Sequence, residues 1–301
     1  MATSRFIKDT GLTARMSLTM FLLGALFVGM VVGAIYAVGP GYAPLIAVAG
    51  IGMAFWQWWS SDKVAMRAMR AREVTPEEAP ELHGMIDRLC ALADMPKPRV
   101  GISDMALPNA FATGRSPDRA VVCVTTGILQ TLEPEELEAV LALELSHVAH
   151  RDVLVMTVAS SAGIAAGLLM RTTQYGAMGR SRNSSALPAV AIALLVSLVV
   201  YAVSFLLLRL LSRYRELSAD RAGAYLTLKP AALGTALQKI SGEVAATPTR
   251  DLRAGNAASA LCIVPALSGG GLGGLFATHP PLQERLDQLA RIQAELSRPA
   301  G

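Results

Sequence analysis

Three long and strongly apolar stretches of the chain contain no charged residue, and they constrain its fold more than any other feature of the sequence. They cover 16–61, 153–170 and 186–208 in a chain of 301 residues, of which 52% are hydrophobic and 17% charged. A soluble protein carries about 25% charged residues. The first run is long enough for two helices of about 20 residues, the length that crosses a bilayer. We therefore expect a mainly α-helical membrane protein with four membrane-associated helices.

The first charge-free run divides at residues 39–41, a Gly-Pro-Gly sequence typical of turns. This division predicts membrane spans at 16–38 and 42–59. Lys and Arg flank the hairpin on both sides and are absent from its turn, which predicts a multi-pass protein of the cell membrane with both ends of the hairpin in the cytoplasm. A basic loop at 171–182 argues for the opposite orientation of the later runs. The first hairpin is given more weight because early spans usually dominate topology.

The residues after the second span have the pattern of a mixed α and β segment. Capping residues followed by apolar residues at helical spacing predict a helix over 76–93. Short apolar segments predict strands at 99–103 and 119–125, with a further strand and turn at 108–115. Acidic residues after Pro134 favour the start of another helix, which runs toward the third charge-free run.

The segment 143–152 reads Leu-Glu-Leu-Ser-His-Val-Ala-His-Arg-Asp and carries most of the functional information. In helical zinc proteases, two histidines at i and i+4 bind one metal ion, and the glutamate after the first is the general base. Glu144 and His147 stand where the base and the second histidine belong. The first histidine position holds Leu143, which has no lone pair to offer a metal ion.

A second set of polar residues follows about seventy residues later. Glu216 and Asp220 are four residues apart, so both can point to one side of a helix. Glu216 could supply a third metal ligand, and Asp220 could accept a hydrogen bond from a ligand histidine and fix its tautomer. Near the C-terminus, His279 precedes two prolines.

Four segments in this order resemble the HtpX family of integral-membrane zinc endopeptidases, which are relatives of the CAAX prenyl proteases. They are the segment 109–115, the run E-L-S-H-V-A-H-R-D, the run S-R-Y-R-E-L-S-A-D and the final T-H-P-P. The resemblance extends over nearly the whole chain, including the paired N-terminal spans. It implies a zincin-like α+β metalloprotease domain whose cytoplasm-facing active site degrades damaged or misfolded membrane proteins.

The resemblance also implies a role for individual residues. Glu144 would be the general base, and His147 and Glu216 would be ligands of one zinc ion per chain. Asp220 would orient a zinc ligand by hydrogen bonding to it, and His279 would stabilise the tetrahedral oxyanion.

The substrate and the domain division follow from the same resemblance. A strand containing Asn109, Ala110, Phe111 and Ala112 would bind a polypeptide substrate by strand addition. The chain would then consist of an N-terminal transmembrane hairpin, a first catalytic part with the metal-motif helix, two further membrane helices, and a second catalytic part with the third ligand and the C-terminal helix. Their respective ranges are 1–61, 62–152, 153–208 and 209–301.

Each of these candidate residues has a simpler alternative role. His147 could be a buried core histidine, and His279 could be a helix-capping residue with no catalytic role. Glu216 and Asp220 could form surface ion pairs with Arg213 or Arg215. The two remaining histidines are interpreted as non-ligands, with His150 on the surface or in packing and His83 at an exposed helix position.

Leu143 leaves two protein ligands where catalytic zinc sites typically have three, so zinc affinity is expected to be reduced. Three explanations remain open. Leu143 is an introduced or incidental substitution in an otherwise active enzyme, or the chain is a natural pseudoprotease that binds substrates without cutting them, or His150 replaces the lost ligand. The third is geometrically poor because position 150 lies about 10 Å farther along the helix. We favour the first.

Other classes of function are weaker candidates. Glu-x-x-His also occurs in di-metal helical bundles, but this chain has no convincing second copy of that motif. The charge-free runs lack the intramembrane charges that mark ion pathways, which argues against a channel or transporter. The basic residues are not clustered as in nucleic-acid binding proteins, so no nucleic-acid partner is expected. A non-enzymatic membrane scaffold is the principal alternative.

Overall fold

A computed structural model describes residues 9–38, 43–152, 187–246 and 280–298. The chain forms two compact units. The first contains residues 1–12, 61–153 and 212–301, and the second contains 13–60 and 154–211. The elements, in chain order, are α1 (Thr10–Val38), α2 (Ala43–Ala68), β1 (Ala71–Glu73), α3 (Pro80–Ala93), β2 (Arg99–Ser103), β3 (Ala110–Thr113), a 3-10 turn (Pro117–Arg119), β4 (Val121–Thr125), α4 (Thr126–Thr131), α5 (Pro134–Ala149), α6 (Leu187–Thr227), α7 (Pro230–Ala246) and α8 (Leu282–Leu296).

The second unit is built from apolar helices. Leu23 of α1 is buried beside Leu207 and Leu208 of α6. Among the described residues, no helix is both long enough and apolar enough to cross a membrane. The helices expected at 16–38 and 42–59 are present as α1 and α2, and their expected role as membrane spans is not confirmed. The third charge-free run, at 153–170, lies outside the described residues.

The first unit contains a four-stranded sheet in the order β1-β2-β4-β3. β2 and β4 are parallel, whereas β1 pairs antiparallel to β2 and β3 pairs antiparallel to β4. All five residues of β4 are buried, as expected for a Val-rich central strand. Among the described strands β3 is at the edge of the sheet, as the family resemblance implies for this segment.

The core of the first unit lies between this sheet and its helices. α5 packs against β3, α3 and α7, and α7 packs against α8. Their apolar side chains form one cluster with those of β2 and β4, which includes Leu89, Val122, Leu141, Leu145 and Leu237. α5 consequently lies at the centre of the unit, and nearly all of its residues are buried.

Two local predictions near α3 are wrong. The helix predicted over 76–93 begins at Pro80, because the Thr75–Glu78 capping contact closes a separate turn in which Thr75 O accepts from the N–H groups of Glu78 and Ala79. Pro80 then starts the helix, since its missing N–H is not needed in the first turn. His83 was expected at an exposed position, but it is buried and its Nε2 lies 3.1 Å from the carbonyl oxygen of Val74.

The predicted strands agree with the structure more closely. β2 covers the expected 99–103, and β3 lies inside the segment expected at 108–115. The strand expected at 119–125 begins two residues later, because Pro117–Arg119 forms a 3-10 turn. Gly114 ends β3 with a positive φ of 131°, a conformation that glycine adopts without strain.

Candidate active site

α5 begins and ends with clear local signals that fix the position of its motif residues. Glu133 and Glu136 form a reciprocal capping box, and Pro134 occupies the first turn. The helix ends at Ala149, after which Arg151 adopts a left-handed φ of 59°. The Leu143–His147 segment therefore lies in regular helix, with both side chains on one face.

α6 approaches that face of α5 very closely. A Cβ added to Gly223 would lie 3.0 Å from the backbone nitrogen of Leu143 and 3.2 Å from its Cα. Glu216, Asp220 and Gly223 recur at helical spacing on α6, so they share one face. The glycine contact therefore turns the two carboxylates toward the face of α5 that carries positions 143 and 147.

Leu143 is part of the apolar core at this contact. Its side chain is 1% exposed and belongs to the same cluster as Ala219, Ala224 and Leu226 of α6. It contributes packing where a zinc protease motif has an imidazole. The leucine side chain therefore offers no donor atom to a metal ion at the position where the motif has a histidine nitrogen.

His147 is buried between two carboxylates. Its Nδ1 lies 2.7 Å from Asp152 Oδ2, and its Nε2 lies 3.7 Å from Glu216 Oε1. Burial alone would lower the pKa of His147, but the hydrogen bond to Asp152 and the charge of Glu216 outweigh burial and raise it. The ring thus presents one nitrogen to each carboxylate.

Asp152 is the carboxylate that contacts Nδ1 of the His147 ring. It is fully buried, and Arg215 Nε lies 3.0 Å from its Oδ2. Burial would raise the pKa of Asp152, but the Arg215 charge and the bond to His147 lower it. The same guanidinium reaches to 4.0 Å from Glu216 Oε1.

Glu144 has a strongly perturbed carboxyl group. Burial raises its pKa to about 7, and the neighbouring Glu216 charge adds to the rise. The His147 charge, a hydrogen bond from the Ala112 backbone N–H and the Arg215 charge act in the opposite direction. Such a carboxyl exchanges protons near neutral pH, as a general base requires.

Arg285 of α8 contacts both Glu216 and Asp220. Arg285 Nε and Nη2 lie 2.7 and 2.6 Å from the two Asp220 oxygens, and Nη1 lies 3.9 Å from Glu216 Oε2. Burial raises the pKa of Asp220 against the opposing effect of Arg285. Both carboxylates are buried, so they do not form surface ion pairs, although Glu216 lies 4.0 Å from Arg215, one of the partners that this alternative named.

The predicted contact between Asp220 and a ligand histidine is not present in the described residues. Both Asp220 oxygens face Arg285, and the carboxylate on His147 belongs to Asp152. With leucine at position 143, the chain lacks the other histidine that Asp220 could hold. The supporting role of Asp220 toward a metal ligand stays a prediction.

The predicted substrate strand lies next to Glu144. Asn109 and Ala110–Ala112 are all buried, and the Asn109 backbone is tied to Thr125 by two hydrogen bonds of 2.9 Å. The Ala112 N–H donates to Glu144. Because N–H directions alternate along an antiparallel strand, this bond places the side of β3 that faces away from β4 next to Glu144.

Sequence reasoning missed two charged residues of this site, Asp152 and Arg285, and named Arg215 only as a possible surface partner of Glu216 or Asp220. Asp152 and Arg215 lie inside motif segments, but no spacing rule connects them to His147. Arg285 follows His279 by six residues, and its helical context gave no sign of a buried partner. His279 itself lies outside the described residues, so its predicted role at the oxyanion is untested.

The residues of the site fit a zinc ion incompletely. His147 Nε2 and Glu216 Oε1 converge and are the donor types that zinc binds, but a catalytic zinc ion typically takes three protein ligands. The described part of the chain has no group of three or more His, Cys, Asp or Glu residues that could hold a metal ion. His150 caps the end of α5 and does not complete such a group.

A Glu-x-x-His helix that faces a carboxylate-bearing helix, with an edge strand beside the glutamate, is the arrangement of a helical metallopeptidase. Comparison with known families agrees with this class. The profile of peptidase family M48 matches residues 76–293. The chain belongs to peptidase family M48, among the HtpX homologs.

Two relatives illustrate the similarity. Protease HtpX homolog 1 of Streptomyces coelicolor is 55% identical over 295 residues, covering 97% of this chain and 96% of that protein. A protease HtpX homolog of Moorella thermoacetica is 48% identical over 290 residues, covering 96% of each. The crystal structure of S. mikatae Ste24p is 17% identical with a TM-score of 0.48, covering 93% of this chain and 66% of that one, a likeness too weak to support a conclusion about the fold.

Proposed function

We propose that this chain is a membrane-bound HtpX-type endopeptidase whose zinc-dependent hydrolysis of polypeptides is impaired by Leu143. One observation carries the proposal. Leu143 is buried at the α5–α6 contact, one helical turn before His147, where the motif needs a nitrogen donor. The other parts of the site, from Glu144 to Glu216, keep the positions that the motif requires.

In this proposal His147 and Glu216 hold one zinc ion with reduced affinity, because only two protein donors remain. Loss of an outer contact to a metal ligand typically reduces affinity or activity by roughly 10–100-fold, and loss of a ligand itself should reduce them more. Glu144 takes a proton during hydrolysis and returns it to the leaving amine. Its pKa of about 7 suits both steps.

The proposed substrates are polypeptides, in particular misfolded membrane proteins, bound along β3. Asn109–Ala112 would pair with an extended substrate backbone on the side of β3 that faces away from β4. The N–H of Ala112 lies on that side, beside Glu144. A substrate on this strand would therefore pass the residue that acts as the base.

The proposed location is the cell membrane, with the catalytic unit facing the cytoplasm. Large apolar side chains are exposed on three helices, among them Phe21 of α1 (72%), Val48 and Ile51 of α2 (68% and 66%) and Leu195 of α6 (61%). Exposed apolar surface on this scale is typical of proteins that contact lipid or other proteins. The Lys and Arg pattern around the first hairpin supports the orientation.

A pseudoprotease that binds substrates without cutting them is the second candidate. The incomplete donor set beside β3 favours it. Both candidates predict substrate binding along β3, and they differ in whether the natural chain turns substrate over in a manner that depends on Glu144.

The deciding experiment compares the purified protein with Leu143→His. Zinc per chain and cleavage of an unfolded model substrate would be measured for both, with Leu143→Gln as a control that adds polarity without an imidazole. We expect near-stoichiometric zinc and rapid cleavage in Leu143→His, and less zinc and slower cleavage in the unchanged chain and in Leu143→Gln. Cleavage should be lost when Leu143→His is combined with Glu144→Gln. Glu144-dependent cleavage by the unchanged chain at a lower rate supports the impaired enzyme, whereas substrate binding without any cleavage supports the pseudoprotease. A Leu143→His protein that binds no more zinc and cuts nothing would refute the site assignment.

A further inference from the structure

His147, Asp152 and Arg215 form a buried group of three side chains at the back of the candidate site. His147 and Asp152 are 6% and 0% exposed, and the side chain of Arg215 is 12% exposed. The two short contacts both end on Asp152 Oδ2, which lies 2.7 Å from His147 Nδ1 and 3.0 Å from Arg215 Nε. A single carboxylate oxygen therefore connects the ring to the guanidinium.

The chain places Asp152 behind the ring through a turn. α5 ends at Ala149, His150 caps it, and Arg151 adopts the left-handed conformation with its N–H bonded to Val148 O. A non-glycine residue with positive φ is uncommon. This turn ends the helical path, so Asp152 does not lie where helical spacing would place a residue at i+5.

The short contact decides which ring nitrogen carries the proton. A carboxylate 2.7 Å from Nδ1 accepts a hydrogen bond, so Nδ1 bears the hydrogen. Arg215 Nη2 also lies 3.4 Å from Nδ1, but a bond from it would need a lone pair on that nitrogen, and the contact is the longer of the two. In the neutral ring Nε2 then keeps its lone pair, and that atom is the one near Glu216.

We propose that Asp152, itself held by Arg215, is the positioning residue for His147, which it fixes in the Nδ1–H tautomer so that the Nε2 lone pair is directed toward Glu216. The inference deepens the proposed function, because His147 is the ligand assigned there. Asp220 cannot perform this task for His147, since both of its oxygens face Arg285.

The test is a ¹⁵N NMR measurement of the histidine tautomers in the full chain, purified in detergent with ¹⁵N-labelled histidine. The chain has four histidines, and His147→Gln identifies the signals of His147. At alkaline pH, where the ring is neutral, we expect a proton on Nδ1 and none on Nε2. An Nε2–H tautomer, or an even mixture of the two, in the unchanged protein overturns the proposal.

Three variants separate positioning from a general effect of buried charge. Asp152→Ala should lose the Nδ1–H preference, and Asp152→Asn should retain it because the amide oxygen still accepts. Asp220→Ala is the matched control, since it also removes a buried carboxylate from the site, and it should leave the tautomer of His147 unchanged. A tautomer that follows Asp220 rather than Asp152 also overturns the proposal.

The buried histidine of α3, His83, reports on folding in the same spectra. If Asp152→Ala fails to fold, the unchanged protein and Asp152→Asn decide the matter. In Asp152→Asn the amide oxygen is a weaker acceptor than the carboxylate, so the Nδ1 proton resonance of His147 should move upfield. Asp220→Asn should leave this resonance unchanged. Because the readout requires neither zinc nor cleavage, failure of Leu143→His to gain zinc would refute the proposed function and leave this result standing.

Discussion

Gly223 of α6 lies against the backbone of Leu143 of α5, so closely that a Cβ at 223 would come within 3.0 Å of the Leu143 nitrogen. The contact joins the two helices at the position where the zinc-protease motif is interrupted. It also fixes how far the α5 face with His147 stands from the α6 face with Glu216. Stability and site geometry consequently depend on the same glycine.

Gly223→Ala should destabilise the first unit. Its new Cβ meets backbone rather than a flexible side chain, so α5 and α6 must separate, at a cost of about 1–3 kcal/mol. Thermal unfolding measures the loss. Gly242→Ala in α7 is the matched control, because nothing lies within 4 Å of its added Cβ, and it should stabilise by roughly 0.4–1 kcal/mol. Equal effects of the two substitutions would contradict the close contact.

Glu144 should make stability fall as the pH rises. Burial raises its pKa from 4.5 to about 7, so between these values the native chain holds a proton that the unfolded chain has lost. Native stability is therefore greater at pH 5 and decreases toward pH 8, by an amount on the order of 3 kcal/mol. Glu144→Gln removes this dependence, so its stabilising effect should be larger at pH 8 than at pH 5. Unfolding of both proteins at the two pH values tests the sign, and a benefit confined to acidic pH would exclude it.

Arg285 should be far more important to stability than an exposed arginine. Arg285→Gln leaves Asp220 buried without its partner, and breaking a buried pair costs about 3–5 kcal/mol. Arg72→Gln is the control, because Arg72 and Glu78 are 60% and 45% exposed and such pairs contribute about 0–1 kcal/mol. Denaturant unfolding compares the two losses. Comparable losses would mean that the pairing of α8 with α6 contributes little.

The parts of the site that sequence predicted are those that helical spacing controls. His147 follows position 143 by four residues, and Asp220 follows Glu216 by four, so each pair was expected on one helix face. The structure places these faces toward each other through Gly223. The edge position of β3 was expected from the family resemblance rather than from spacing, and the order of the described strands agrees with it.

The parts that sequence missed depend on breaks in that regularity. Asp152 contacts His147 because the backbone leaves the helical path at Arg151, which has a positive φ. The residue types in this segment do not predict a positive φ at an arginine. Arg285 meets Asp220 across 65 positions of chain, a pairing that local spacing cannot reveal. His83 looked exposed because local spacing does not reveal its contact with the segment before α3, where the Val74 carbonyl oxygen lies 3.1 Å from its Nε2.

Proline should have different effects at positions 112 and 113 of β3, because the N–H groups of these neighbouring residues point to opposite sides of the strand. The Ala112 N–H faces Glu144, away from β4, and edge strands tolerate proline where the N–H faces away from the sheet. The Thr113 N–H is expected to face β4, because directions alternate. Ala112→Pro should therefore leave the sheet folded, whereas Thr113→Pro should lower the melting temperature strongly.

Ala112→Pro also removes a donor from Glu144 and from the edge proposed to pair with substrate. We expect weaker binding of an unfolded polypeptide, measured by cross-linking or fluorescence anisotropy with a labelled extended peptide. The melting temperature of the same preparation is the control for folding. If Ala112→Pro remains folded and binds the peptide as tightly as the unchanged chain does, substrate does not pair with β3 at this position.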